Sequence, residues 1–337
     1  MSDSLSFCVQ KYFNSYMLKQ KNYGPNTTAS YSTTFSLLLE FLKTVKEKKV
    51  DTLTLNDIDK ETVIEFIQWL KETRSSSEAT CNVRLAHIRS FMNYIMMEIP
   101  SCMETCSKVL QIPLQKVPKK PPEALEEEFV RKLLAAPGTK TREGLRHTAM
   151  LSLLYDSGCR VQELIDLTVA DLTFGTNARI LVRGKGNKYR TIPVLAPTAK
   201  LLKVYMDRFS LTSPEMILFP SKNGGKMTRQ GVRYIVIKYA DEVKKAFPEM
   251  KSLDSVHPHT MRHSKATHLV NANIHIFNVR DFLGHESVQT TQIYLTSNLE
   301  KKREALEKAS ATIGITNETS FSKEKANELE DFLKSMK

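Results

Sequence analysis

The chain has 337 residues, enough for two domains that each bury a core, and its 49 Lys and Arg against 37 Asp and Glu give a formal charge of +12. That charge favours a polyanionic partner, nucleic acid ahead of an anionic membrane surface. No apolar run approaches the ~18 residues of a membrane span, and five cysteines without a CxxC pair (Cys8, Cys81, Cys102, Cys106, Cys159) fit reduced thiols rather than a disulfide framework or a zinc site.

The opening MSDSLSFCVQKYFNSYMLKQ lacks the charged-then-apolar order of a signal peptide, so a cytoplasmic location is expected. Residues 1–115 hold 13 basic and 12 acidic residues, leaving 36 and 25 for residues 116–337, a net +11. YSTTFSLLLEFLKTVKEKK and DKETVIEFIQWLKE read as amphipathic helices. In SSSEATCNVRLAHIRSFMNYIMMEI, Ser75 and Glu78 have capping-box spacing, and Leu85, Ile88, Met92, Ile95 and Met96 share one apolar face. Arg84 and Arg89 lie off that stripe, as contacts to a phosphate backbone or as solvated charges. Residues 1–115 are therefore expected to form a small helical bundle. A linker follows at 116–123, KVPKKPPE, where three prolines interrupt hydrogen bonding and lysines keep the segment solvated.

Beyond the linker the pattern becomes mixed. HTAMLSLLYDSG is an apolar helix closed by Gly158, and a new helix begins near RVQELIDL. ARILVRGKGNKYRTIPVL reads as strand, tight turn, strand, with Lys185 and Lys188 at or near the tip. MTRQGVRYIVIKYADEVKKAF is helical again, and SVHPHT breaks the pattern. Near the end, Leu329, Phe332, Leu333 and Met336 fall at i, i+3, i+4 and i+7, a stripe that must bury itself somewhere.

Six of the eight histidines lie between 257 and 285: His257, His259, His263, His268, His275 and His285. A metal would need better company: His259 and His263 are spaced i, i+4, but there is no HExxH glutamate, no nearby cysteine, and Arg262 stands between them. No metal and no cofactor are expected. Arg262, three residues after His259, points instead to an anion, because a guanidinium binds phosphate oxygens bidentately at any working pH. Arg160 and Lys185 would join such a phosphate clamp if the fold brought them together, with Lys185 as a general acid. Taken singly, each is an ordinary surface charge and Tyr294 an ordinary packing residue. The GKGN turn matches neither GxxxxGK[ST] nor GxGxxG.

Four blocks in order, SGCRVQELIDL, VRGKGNKYRTIPV, HPHTMRHSKATHL and LGHESVQTTQIY, resemble those of the tyrosine recombinase (phage integrase) family, including its Xer-like and mobile-element integrases. The resemblance covers residues 125–300 closely and the helical first part more loosely. It implies a mainly helical protein with a small β-sheet: an N-terminal helical, SAM-like core-binding domain at 1–115, the linker, a mixed α/β catalytic domain at 124–310, and a tail helix at 311–337. That helix would dock on its own domain or, in trans, on a second copy. The two domains would form a C-shaped clamp around duplex DNA. By the same resemblance Arg160 and Arg262 hold the non-bridging oxygens of the scissile phosphate, Lys185 protonates the leaving 5′ oxygen, His259 and His285 complete the pocket, and Tyr294 is the nucleophile. Glu163 props Arg160 or its neighbours, and Lys188, Arg190 and Arg229 are further candidate DNA contacts. SGCR stands where the family commonly has Thr-Gly-Leu-Arg, and Met261 where Leu is usual, departures that bear on packing.

Strand exchange through a 3′-phosphotyrosine, without metal or ATP, is thus the expected reaction, with inverted half-sites on double-stranded DNA and a dimer or tetramer of the chain as partners. Mobile-element integration or excision is the favoured role, and dimer resolution of a chromosome or plasmid the alternative. A type IB topoisomerase would act as a monomer at many sequences, and a DNA-binding regulator would have no need of Tyr294 and Lys185 together.

Overall fold

The computed structural model describes residues 4–117, 123–184, 188–250, 253–285, 287 and 291. The chain divides into two compact units, Met1–Lys119 and Lys120–Lys337. The architecture is mainly helical with one small sheet, as the sequence led us to expect.

In the first unit, α1 (Leu5–Lys11) runs on into a wider π-helical stretch, Tyr12–Gln20, and is followed by α2 (Pro25–Thr44), α3 (Lys60–Glu72), α4 (Glu78–Glu98) and α5 (Met103–Leu110). The expected stripe of α4 faces the core: Leu85, Ile88, Met92 and Ile95 are buried, and Met96 is partly buried against the same cluster. Tyr12 lies at its centre, edge-on to Phe91 at 5.2 Å and stacked on Tyr16 at 5.5 Å. The start of α4 differs from the expectation. Ser77, not Ser75, caps it, its hydroxyl accepting from the Thr80 amide. Ser75 instead ends α3: it sits at φ 49, and the next amide, Ser76, donates to Leu70 O six residues back, closing a left-handed C-terminal turn. One serine completes a helix and the next but one begins another.

The second unit contains α6 (Glu127–Ala135), α7 (Arg142–Ser157), α8 (Val161–Asp166), strands β1 (Leu172–Thr173), β2 (Arg179–Arg183) and β3 (Tyr189–Pro193), then α9 (Ala196–Phe209), α10 (Arg229–Ala246), α11 (Pro258–Asn271) and α12 (Ile276–Leu283). The strands form an antiparallel sheet in the order β1-β2-β3, and the expected hairpin pairs Ile180 with Ile192 and Val182 with Arg190. Alternation buries Ile180, Val182 and Ile192, so the sheet has one face on the core. Helix α7 is buried along most of its length and ends, as expected, at Gly158 in the left-handed conformation, φ 55. Cys159 and Met261, two of the departures from the family pattern, are 1% and 0% exposed and belong to this core. All five cysteines are buried and none forms a disulfide. The tail stripe at Leu329, Phe332, Leu333 and Met336, like residues 118–122 of the linker, lies outside the described residues.

Candidate active site

The left-handed turn at Gly158 reverses the chain, so that Arg160 becomes the extended N-cap of α8 (φ −72, ψ 151). Three residues on, the Glu163 carboxylate accepts from the Arg160 backbone amide (2.8 Å) and from Arg160 Nη1 (3.0 Å). Glu163 is buried, its side chain 5% exposed. Burial pushes its pKa up, but the bonds from Arg190 and Arg160 outweigh this and hold it below the ordinary carboxylate value, so it is ionised.

Arg262 comes from α11, which Pro258 starts at its first turn and His257 caps by accepting from the Thr260 amide. The residue is only 2% exposed. Its Nη1 donates to Gly158 O at 2.5 Å and its Nη2 to Leu283 O at 2.6 Å, tying the end of α7 to the end of α12. Burial first, and Arg160 second, lower its pKa to about 10, which leaves it charged at neutral pH. Arg160 Nη2 donates to the next carbonyl, Gly284 O, at 3.2 Å. The two guanidiniums are therefore anchored on consecutive carbonyls.

Cys159, Arg160, Gln162, Arg229, His259 and Arg262 help to line a cavity of about 300 Å³. His259 is exposed at its rim, yet desolvation first and Arg262 next lower its pKa below the ordinary imidazole value. Its ring meets that of His263 edge-on at 4.2 Å. His285 follows Gly284, the left-handed C-cap of α12, and its Nδ1 lies 3.0 Å from Thr291 Oγ1. Desolvation, then Arg262 and Arg160, push its pKa down to about 4. Two fixed guanidiniums beside neutral imidazoles can receive an anionic ester, neutralise charge building on its oxygens, and accept a proton. Among the described residues no group of three or more His, Cys, Asp or Glu is placed to hold a metal ion.

Arg160, Glu163, His259, Arg262 and His285 are thus brought together, while Lys185 and Tyr294 lie outside the described residues. Arg229 is on the cavity wall with Nε donating to Gln162 Oε1 at 2.8 Å. Lys188 is exposed beside the hairpin turn, its carbonyl accepting from Gly184 N at 2.7 Å. Arg190, expected as a DNA contact, has its guanidinium engaged inside the protein: Nη1 and Nη2 grip the two Glu163 oxygens at 3.0 and 2.8 Å, and Nε donates to Phe282 O at 3.2 Å. Its signal was in the sequence, since period-two alternation puts Arg190 on the same inward face as Ile192. Arg84 is likewise engaged, Nη1 donating to Ser30 O and Thr34 Oγ1 at 3.0 Å each, while Arg89 is half-buried on α4. His268 is a structural bridge between Tyr155 Oη (2.7 Å) and Leu125 O (2.8 Å).

Residues 123–301 match the phage integrase family, and residues 9–98 match the phage integrase SAM-like domain. The chain is 32% identical over 287 residues to tyrosine recombinase XerC of Herpetosiphon aurantiacus, covering 84% of this chain and 88% of that protein. Among solved structures, it is similar to the XerH site-specific recombinase bound to a palindromic difH substrate (TM-score 0.66, 21% identity, 91% of this chain and 83% of that one). The Tn1549 transposon integrase in complex with transposon right-end DNA is similar as well (TM-score 0.67, 17% identity, 90% and 99%).

Proposed function

Because this chain belongs to the phage integrase family, we propose that it is a tyrosine-type site-specific DNA recombinase that breaks and rejoins strands through a 3′-phosphotyrosine, without metal or ATP. The observation that carries this reading is the convergence of the Arg160 and Arg262 guanidiniums on adjacent carbonyls beside a cavity that His259 also lines. A phosphodiester is anionic and repels nucleophiles, so cleavage needs fixed cationic donors on its non-bridging oxygens. Arg160 and Arg262 supply them.

Tyr294 is the nucleophile: its phenolic oxygen attacks phosphorus, the bond to the 5′ oxygen breaks, and Lys185 gives that oxygen its proton. His259, kept unprotonated at neutral pH by its lowered pKa, suits the task of taking the phenol proton, and His285 adds a hydrogen bond to the pocket. The phosphotyrosine ester retains the energy of the broken bond, so a 5′ hydroxyl of another strand reverses the step without ATP. Double-stranded DNA with inverted half-sites is the substrate, bound by two protomers, with four in the synapse.

The protein acts in the cytoplasm, on the nucleoid. Among the described residues no helix is long and apolar enough to cross a membrane. We place the reaction in mobile-element integration and excision, and the similarity to proteins named XerC keeps dimer resolution as the alternative. The test is incubation of the full chain with nicked DNA carrying its site, obtained by in vitro selection. A covalent protein–DNA adduct is expected with the native protein and none with Tyr294→Phe. An adduct that persists in Tyr294→Phe overturns the mechanism.

A further inference from the structure

The end of α12 presents three consecutive carbonyls, and each receives a guanidinium from a different element: Phe282 O from Arg190 on β3, Leu283 O from Arg262 on α11, and Gly284 O from Arg160 at the start of α8. The last carbonyls of a helix have no partners within it and carry the negative end of its dipole, so they attract cations. Two of these arginines face the cavity; Arg190 does not line it. Its side chain is 15% exposed, and its fork closes on both oxygens of Glu163. Contact with Gly284 fixes it from the other side. A Cβ on Gly284 would stand 2.9 Å from Arg190 Nη1 and 3.0 Å from its Cζ.

We propose that Arg190 is a positioning residue for the reaction, acting through Glu163 on Arg160. A single buried carboxylate is shared between the two arginines. Glu163 accepts one side-chain bond from Arg160, by Nη1, and two from Arg190. With most of its charge met by Arg190, Glu163 orients Arg160 without capturing it, and Arg160 keeps N–H groups for a phosphate. Without Arg190 the buried carboxylate would turn wholly to Arg160, the nearest remaining cation, because an unpaired buried charge is costly. The phosphate would then face a guanidinium already neutralised. Arg190 also holds Phe282 O, beside the carbonyls that anchor Arg262 and Arg160.

This inference rests on the recombinase reading and is tested alongside it. Full-length Arg190→Gln and Arg190→Lys are compared with the native protein and with Arg160→Ala on nicked site DNA, carrying either the natural scissile phosphate or an uncharged methylphosphonate. Arg190→Gln is expected to slow adduct formation on the natural phosphate on the order of 100-fold. Arg190→Lys, which keeps the charge but cannot span both oxygens, falls between, and guards against misfolding of the first variant. On methylphosphonate, where no charge needs neutralising, the deficits of Arg190→Gln and Arg160→Ala both shrink.

A native rate for Arg190→Gln overturns the proposal. So does an equal deficit in a Glu163→Gln background, which has no carboxylate to capture Arg160 and where only direct contact of Arg190 with the phosphate would still be felt. An Arg190→Gln deficit that stays constant while that of Arg160→Ala shrinks shows that Arg190 serves folding alone, and also overturns it. If the Arg160→Ala deficit does not shrink, the arginine reading of the site fails first and this inference with it.

Discussion

Gly284 and His147 show how much single positions are asked to do. Gly284 combines φ 64 with close contact to Arg190, so Gly284→Ala meets a backbone penalty of about 1–2 kcal/mol and must push Arg190 away as well. A lowered thermal midpoint and slower adduct formation are expected together; a variant that is native in both would remove Gly284 from the site. His147 is 3% exposed, with Nε2 3.1 Å from Arg146 Nη2 and Nδ1 3.0 Å from Tyr239 Oη. Because a guanidinium only donates, Nε2 is the acceptor and Nδ1 carries the proton to Tyr239. Burial, and then Arg146, push its pKa down to about 4. Between that value and the ordinary 6.5 the unfolded chain binds a proton that the folded one refuses. This contribution to stability is therefore complete above pH 6.5 and is lost as pH falls toward 4. At pH 5 the loss is on the order of 1–2 kcal/mol. Thermal unfolding followed from pH 7 to pH 5 should decline less steeply in His147→Gln, and an unchanged pH dependence would remove His147 from the account.

At the scale of elements, the clearest lesson comes from the serines between α3 and α4. The spacing of Ser75 and Glu78 showed that a helix begins in SSSEAT, but choosing Ser77 over Ser75 as its cap required knowing where α3 ended. Ser77→Ala removes the bond to the Thr80 amide and should cost about 1 kcal/mol. Ser75→Gly relieves a φ of 49 and should be neutral or slightly stabilising, as glycine adopts that conformation without steric cost. Thermal melts that rank the two the other way round would contradict the assignment. The hairpin was legible because β-branched residues flank a glycine turn, while its register, Ile180 opposite Ile192, came from the structure. What alternation did not reveal was the partner of its one inward-facing arginine, since Glu163 lies 27 residues earlier in the chain.

For the whole molecule the charge distribution sets the expectation. Residues 116–337 carry a net +11 while residues 1–115 are nearly balanced, so most counterion release on binding DNA should come from the second part. Affinity is expected to fall steeply with salt, with a logarithmic slope of about 0.9 per phosphate neutralised. Arg229→Gln, at the cavity wall, should lower that slope by about one, whereas Arg84→Gln should leave it unchanged, since the Arg84 guanidinium is held by Ser30 and Thr34. Titrations over a salt series distinguish the two. A fall in slope for Arg84→Gln would return that residue to the DNA surface.

The sequence alone determined the family, through four ordered blocks, and with it the general fold and the residue types of the site. Local pattern carries that much because helix periodicity, proline breaks and glycine turns are short-range properties of the chain. Tertiary structure decided which arginines face the cavity and which brace it. Arg84, Arg160, Arg190, Arg229 and Arg262 are alike as letters; they differ in what the folded chain sets beside them. Arg160 and Arg262 meet adjacent carbonyls at the cavity, while Arg190 meets a buried carboxylate and Arg84 the carbonyl and hydroxyl of a neighbouring helix. A guanidinium's role is set by its nearest acceptors, and acceptors distant in sequence become neighbours only when the core packs.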